Sequence, residues 1–103
     1  MDPTRLELQT ILEGIVGTGN KVYFQPPTGT VMQYPCIVYN RYQADLVFAG
    51  NQPYRRVKRY QVTVIDPDPD SPIPDKVAAL QMCLLIRTFR ADELNHDVFY
   101  LYF

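Results

Sequence analysis

Apolar and polar residues alternate most regularly from Val57 to Asp66, and this alternation predicts the central strand of the fold. Tyr60, Val62 and Val64 form its apolar side. A period of two residues, with β-branched and aromatic side chains, is typical of a half-buried strand. We therefore place the other segments by asking whether they pair with this strand or cover its apolar side.

The first segment of the chain has the apolar period of an amphipathic helix. Its stripe consists of Leu8, Ile11, Leu12, Ile15 and Val16. Asp2 is suited to cap this helix and Pro3 to its first position, while Gly17 and Gly19 end it. Leu6 lies off the stripe, so it is either an exposed leucine or a contact with another subunit.

Apolar runs bounded by proline and polar residues predict three more strands and a second helix. The strands cover residues 21–25, 36–43 and 98–103, and the helix runs from about Asp75 to Arg90. Residues 36–39 and 98–103 are apolar on both sides, as in strands covered on both faces. The predicted fold class is α+β: a small, mainly antiparallel four-stranded sheet with two flanking helices, in the order α-β-β-β-α-β.

The placement of the two helices decides what remains exposed. If both cover one face of the sheet, an outward patch remains that includes Tyr39, Tyr42 and one set of side chains from residues 98–103. Such a patch marks an interface, and Tyr100 and Tyr102 are candidate interface residues within it. The alternative is that one helix covers each face.

A long arm separates strands 2 and 3. It covers residues 44–55 and contains the apolar triplet Leu46, Val47 and Phe48. Connections of this length are uncommon in compact domains unless they are functional. The triplet either folds back onto the core or docks on another protein. The candidate interface residues of this arm are Leu46, Val47, Phe48, Tyr54, Arg55 and Arg56.

Length and composition limit the classes of function. A chain of 103 residues forms one domain, residues 1–103, and its net charge of −1 gives no overall attraction to nucleic acid or to an anionic membrane. The sequence contains neither a secretory signal nor an apolar run of membrane-spanning length, so we expect a soluble protein without a membrane partner. Cys36 and Cys83 are expected to be reduced core thiols.

The sequence offers little for catalysis. His96 is the single histidine, and no spacing of ligands for zinc is present. Asp66, Asp68 and Asp70 imitate the start of a calcium loop, but prolines 67 and 69 break that pattern, so a rigid connector is favoured over weak divalent binding. We predict no enzyme activity, no cofactor and no metal site.

The basic cluster that precedes the central strand has two interpretations. It consists of Arg55, Arg56, Lys58 and Arg59. Charges at the mouth of a strand are usually a solvated edge or a salt-bridging interface, and contact with DNA is the alternative.

Four segments carry a resemblance to a known family. They are YFQPP (23–27), YPCIVY (34–39), RYQVTVIDPDPDSPIPDKV (59–77) and LNHDVFYLYF (94–103). Together with the order of elements, they resemble the small neck proteins of long-tailed bacteriophages, and most of all the tail terminator or tail-completion class. The resemblance covers most of the chain but includes no catalytic motif.

The resemblance implies a structural role. Members of this class form a hexameric ring that caps the tail tube and presents a surface to the head. The implied partners are other copies of the chain, the tail tube protein, the head–tail connector or stopper protein, and DNA passing through the channel. The implied location is the neck of the virion, after synthesis in the bacterial cytoplasm. The alternative function is a small module that binds nucleic acid or peptide through basic residues 55–59 and an open sheet edge.

Overall fold

The computed structural model describes residues 5–17, 21–49, 52–80 and 83–103, with the backbone alone at 43–49 and 52–58. Two helices and five strands follow one another along the chain. They are α1 (Arg5–Val16), β1 (Val22–Phe24), β2 (Cys36–Ala49), β3 (Gln52–Asp66), α2 (Ile73–Ala78), β4 (Cys83–Ala91) and β5 (Leu94–Tyr102). The proposed cap at Asp2 and Pro3 lies outside the described residues.

The five strands form one mixed sheet in the order β1-β2-β3-β5-β4. β1 runs parallel to β2, whereas β2–β3, β3–β5 and β5–β4 are antiparallel pairs. The α+β class is confirmed, but the prediction of four strands is wrong. The described residues contain one strand more than expected. β1 makes the sheet mixed, because β2 runs beside it in the same direction after a long connection.

Both helices lie on one face of the sheet, which we call the covered face. Leu8 and Leu12 of α1 and Ile73 and Val77 of α2 belong to a single buried cluster with side chains from four strands. The strand members are Val22, Ile37, Tyr39, Tyr60, Val62, Val64, Phe99 and Leu101. The predicted alternation of β3 is therefore confirmed, because Tyr60, Val62 and Val64 are all buried. The other side of the sheet, which we call the open face, carries no helix among the described residues.

Tyr39 lies on the covered face, where it joins α1 to the sheet. Its side chain is fully buried, its hydroxyl donates to Gln9 Oε1, and Arg5 Nη1 donates to that hydroxyl at 3.2 Å. The expectation that Tyr39 points outward is wrong, because the alternation of β2 places Ile37 and Tyr39 together against α1.

α1 follows most of its predicted stripe. Leu8 and Leu12 are buried, Ile15 and Val16 are partly buried, but Ile11 is 39% exposed. Leu6, which lies off the stripe, is 65% exposed. The helix stops at Gly17, whose φ of +95° favours glycine and whose N–H donates to the Glu13 carbonyl at 2.8 Å. Neither helix in the described ranges is long and apolar enough to cross a membrane.

The second helix is much shorter than predicted. α2 ends at Ala78, and residues 83–91, expected to continue it, form β4 instead. Asp92 and Glu93, with φ of +53° and +63°, make a tight connection from β4 to β5. Two successive residues with positive φ match the twist of a β-hairpin, so this turn favours strands on both sides of it. Cys83 is accordingly in a strand and not in a helix.

The expected arm between strands 2 and 3 is the far end of a β-hairpin. β2 and β3 continue to pair as far as Ala49 and Gln52, while the pairing of β3 with β5 ends at Arg59 and Tyr102. Residues 43–49 and 52–58 thus form a two-stranded extension, which we call the ribbon. The arm predicted between strands 2 and 3 is a pair of strands, because residues 44–49 pair with residues 52–58 along the backbone.

Candidate assembly surfaces

Two arginine side chains lie on the open face of the sheet. Cα partners across antiparallel strands place their side chains on the same face. The registers put Arg59 and Arg87 on the open face, whereas Asp66 and Asp97 lie on the covered face.

Arg59 lies at the centre of an aromatic cluster on the open face. Its guanidinium carbon is 5.0, 5.2 and 5.5 Å from the ring centres of Tyr42, Tyr100 and Tyr102, respectively. Arg59 Nη1 also donates to the Tyr102 hydroxyl at 3.2 Å. Tyr42 and Tyr100 stack on each other, with ring centres 4.9 Å apart. We call these four residues the arginine–tyrosine cluster. Each cation–π contact stabilises the position of the guanidinium among the rings.

Tyr42 also affects the ionisation of Tyr100. A hydrogen bond with Tyr42 is the main cause that raises the pKa of Tyr100, while the positive charges of Arg59 and Arg87 act in the opposite direction. Tyr42 remains 52% exposed. The cluster therefore presents a rigid aromatic surface with polar hydroxyls, a combination that is common at protein interfaces.

A second aromatic group lies further along the open face. The rings of Phe89 and His96 stack at 4.6 Å between centres, and the Arg87 guanidinium lies 4.9 Å from the centre of the Phe89 ring. The last strand was predicted to begin at residue 98, but His96 already lies within β5, opposite Ile65. Asp97, its neighbour in sequence, points to the other face and accepts a hydrogen bond from Thr88 Oγ1 at 2.8 Å.

β4 is the outermost strand of the sheet and is unusually exposed for an apolar strand. Leu84, Leu85, Ile86 and Phe89 are 61, 51, 39 and 38% exposed, respectively. They are four of the nine large apolar side chains that are exposed in the described part of the chain. An edge strand with an unpaired backbone and apolar side chains is a template for pairing with another chain. We call the outer side of this strand the β4 edge.

The predicted interface residues fall into two places. Tyr100 and Tyr102 lie on the open face, within the arginine–tyrosine cluster. The other six lie in the ribbon, where Leu46 pairs with Arg56, Val47 with Arg55 and Phe48 with Pro53 along the backbone. Tyr54 lies between Pro53 and Arg55 on the same strand. The side chains of these ribbon residues are outside the described part of the chain.

Sequence reasoning missed the β4 edge and the central position of Arg59. Residues 84–89 were assigned to the second helix, so their exposure on an edge strand was not predicted. The turn residues Asp92 and Glu93 gave no signal of a hairpin, because Asp-Glu is not one of the residue pairs that favour such a turn. Arg59 was counted with the basic cluster. Its contacts with Tyr100 and Tyr102 depend on the pairing of β3 with β5, and no local sequence pattern reveals this pairing.

The groups considered for chemistry include the two cysteines and the acidic spacer. Both cysteines are free thiols. The described residues include no group of three or more His, Cys, Asp or Glu side chains placed to hold a metal ion. In the acidic spacer, Asp66 and Asp68 each accept a hydrogen bond from the backbone N–H two residues ahead, at 2.8 and 2.9 Å. These turns use the carboxylates to hold the spacer in shape.

No known family model matches this chain, and no curated protein matches it.

Proposed function

We propose that this chain is a structural subunit of the neck of a long-tailed bacteriophage. Copies of it assemble into a ring, hexameric in the class it resembles, that ends the tail tube and joins it to the head connector or stopper. The chain acts by contact and carries out no catalysis. The residues that meet other subunits lie on the β4 edge, on the ribbon and in the arginine–tyrosine cluster.

The exposure of β4 is the observation that carries this proposal. A lone domain of this size has little reason to leave Leu84 and Leu85 more than half exposed on an unpaired strand. Fully burying one such side chain is worth about 1.5–3 kcal/mol before the cost of ordering the partner. A permanent assembly covers this surface, whereas a monomeric enzyme would leave it in water.

Solution mass tests the proposal. We expect light scattering after size exclusion to give a multiple of 11.9 kDa, either for the protein alone or after addition of the tail tube protein from the same genome. Electron microscopy of tubes should then show the added protein at one end of each tube. A protein that stays monomeric at all concentrations, and leaves tube ends bare, would refute the proposal.

Binding of nucleic acid is a second candidate, favoured by the open face. Arg59 and Arg87 lie there beside aromatic rings on which bases can stack. Arg90 is the matched control for Arg87, since it is on the same strand but pairs with Asn95 on the covered face. If this function holds, Arg87→Gln weakens salt-sensitive binding of a single-stranded oligonucleotide and Arg90→Gln does not. Equal effects of the two substitutions, or no binding, would exclude it.

A further inference from the structure

We propose that the β4 edge pairs, in antiparallel fashion, with the outer side of β2 in the ribbon of a second copy. The sheet would then continue from one subunit to the next. This inference rests on the proposed ring and adds to it the two strands that meet. It is carried by the exposure of β4, by the strand directions within the sheet and by the distribution of charge along the ribbon.

The β4 edge has only part of the usual protection of an edge strand. Natural sheets shield their edges with charged side chains, β-bulges, proline, very short strands or a covering segment. β4 has two arginines and an irregularity between Leu85 and Arg87, but its nine residues, CLLIRTFRA, include neither lysine nor proline, and no described strand pairs with its outer side. Its apolar residues are exposed on both faces, because Leu84 lies on the open face and Leu85 on the covered face. A strand from another molecule satisfies its outward backbone groups and covers both rows of side chains at once.

The same sheet offers a complementary strand at its opposite side. β1 covers β2 only at Ile37, Val38 and Tyr39. Further along, β2 pairs with β3 on one side, and no described strand pairs with its outer side between residues 43 and 49. This stretch is seven residues long, comparable to β4. The two unpaired strands therefore lie at opposite edges of one sheet, as a head-to-tail assembly requires.

Strand direction favours this contact. β2, β3, β5 and β4 alternate in direction, because each neighbouring pair among them is antiparallel. β4 therefore runs opposite to β2. When copies share one orientation around an axis, the β4 of one subunit meets the β2 of the next as an antiparallel pair, which is the more stable of the two arrangements.

The charges along each strand favour β2 as the partner of β4 over the β3 half of the ribbon and over a second β4. Residues 43–49, QADLVFA, contain one aspartate, no basic residue and three large apolar residues. β4 supplies Arg87 and Arg90 with apolar neighbours. The β3 half of the ribbon instead contains Arg55, Arg56 and Lys58, which would repel these arginines. Pairing of β4 with β4 would place two pairs of arginines in one contact and would stop at a dimer.

Two edge variants test the contact without knowledge of its register. The first carries Leu84→Lys and Leu85→Lys on β4, and the second carries Leu46→Lys and Val47→Lys on β2. Lysine on both faces of a strand blocks edge pairing. The control carries Leu6→Lys and Val31→Lys, which are 65 and 89% exposed and lie on neither strand. Circular dichroism verifies that each variant is folded. If a double variant is unfolded, a single substitution at Leu85 or at Val47 takes its place.

Each edge variant alone should lose ring formation, with association weakened by roughly 100-fold from the loss of two apolar contacts. The control should form rings. Because each defective copy retains one intact strand, a mixture of the two edge variants should yield one-to-one dimers and no larger species.

The other outcomes overturn the inference in separable ways. Rings formed by the β4 variant would show that β4 is not the contact, and the proposed ring would stand. A mixture that stays monomeric would show that the two strands do not meet each other. A wild-type protein that forms no ring with tube protein present would instead refute the proposed function itself.

Discussion

The Cys36 thiol is held in its protonated form by its surroundings. The side chain is fully buried at the start of β2. Burial is the main cause that raises the pKa of this thiol from 9.0 to about 11; the charge of Asp66 raises it further, and that of Lys21 opposes it. The native state therefore keeps its proton over a pH range in which the unfolded chain releases it.

Stability should consequently fall as pH rises from about 9 towards 11. The thiol contributes its full stabilisation below pH 9.0, and this contribution is lost progressively up to the folded pKa of about 11. We expect a loss of about 2 kcal/mol in the free energy of unfolding over this range. Urea unfolding between pH 8.5 and 10 measures the first part of this loss, about 1 kcal/mol, below the range where tyrosines dominate. Cys36→Ser should flatten the pH dependence, and an unchanged slope would contradict this assignment.

At the scale of single elements, β3 and β4 show what the sequence could and could not reveal. The alternation of Tyr60, Val62 and Val64 has only one interpretation, because no helix places those residues on one side. The run LLIRTF in β4 has apolar residues at both helical and strand spacings, so pairing with β5 decides whether it forms a helix or a strand. Tyr100 and Tyr102 were predictable as surface residues from alternation, whereas their contacts with Arg59 required the strand order.

A substitution in the turn between β4 and β5 should make the protein more stable. Glu93 has a φ of +63°, which costs a residue other than glycine about 1–2 kcal/mol. Glu93→Gly creates an Asp-Gly pair suited to this turn. We expect it to raise the free energy of unfolding by about 0.5–1 kcal/mol, after the entropy that glycine adds to the unfolded chain. Thermal unfolding measures the gain. Glu93→Ala removes the same carboxylate without relieving the backbone, so an equal gain from alanine would exclude this explanation.

The acidic spacer between β3 and α2 should not respond to divalent cations. Asp66 and Asp68 already accept backbone hydrogen bonds within the spacer, and Asp66 is buried. A ligand that binds only the native state raises the melting temperature. We expect calcium or magnesium to leave it unchanged beyond the effect of an equal ionic strength of sodium chloride. A saturable rise would show a metal site in this segment.

At the scale of the whole molecule, the ribbon should serve assembly and not the stability of the subunit. Among the described side chains, the buried cluster is formed by the helices and by the strands outside the ribbon. Replacing Leu46, Val47 and Phe48 by serine should therefore leave the circular dichroism spectrum unchanged and the melting temperature nearly so. Ring formation and attachment to tail tubes should be lost. If the triple variant unfolds, these residues belong to the core and the ribbon has no separate role.

The length of β3 has a consequence for hydrogen exchange. This single strand of 15 residues is flanked by β2 and β5 from Arg59 onward but by β2 alone before that point. A two-stranded ribbon is only marginally stable by itself, whereas amides in the centre of a sheet exchange through global unfolding. Amide protection in the isolated subunit should thus rise by orders of magnitude within a few residues of Arg59. The same amides before Arg59 would then report ring formation, because a neighbouring strand paired with β2 stabilises the ribbon and so slows their exchange.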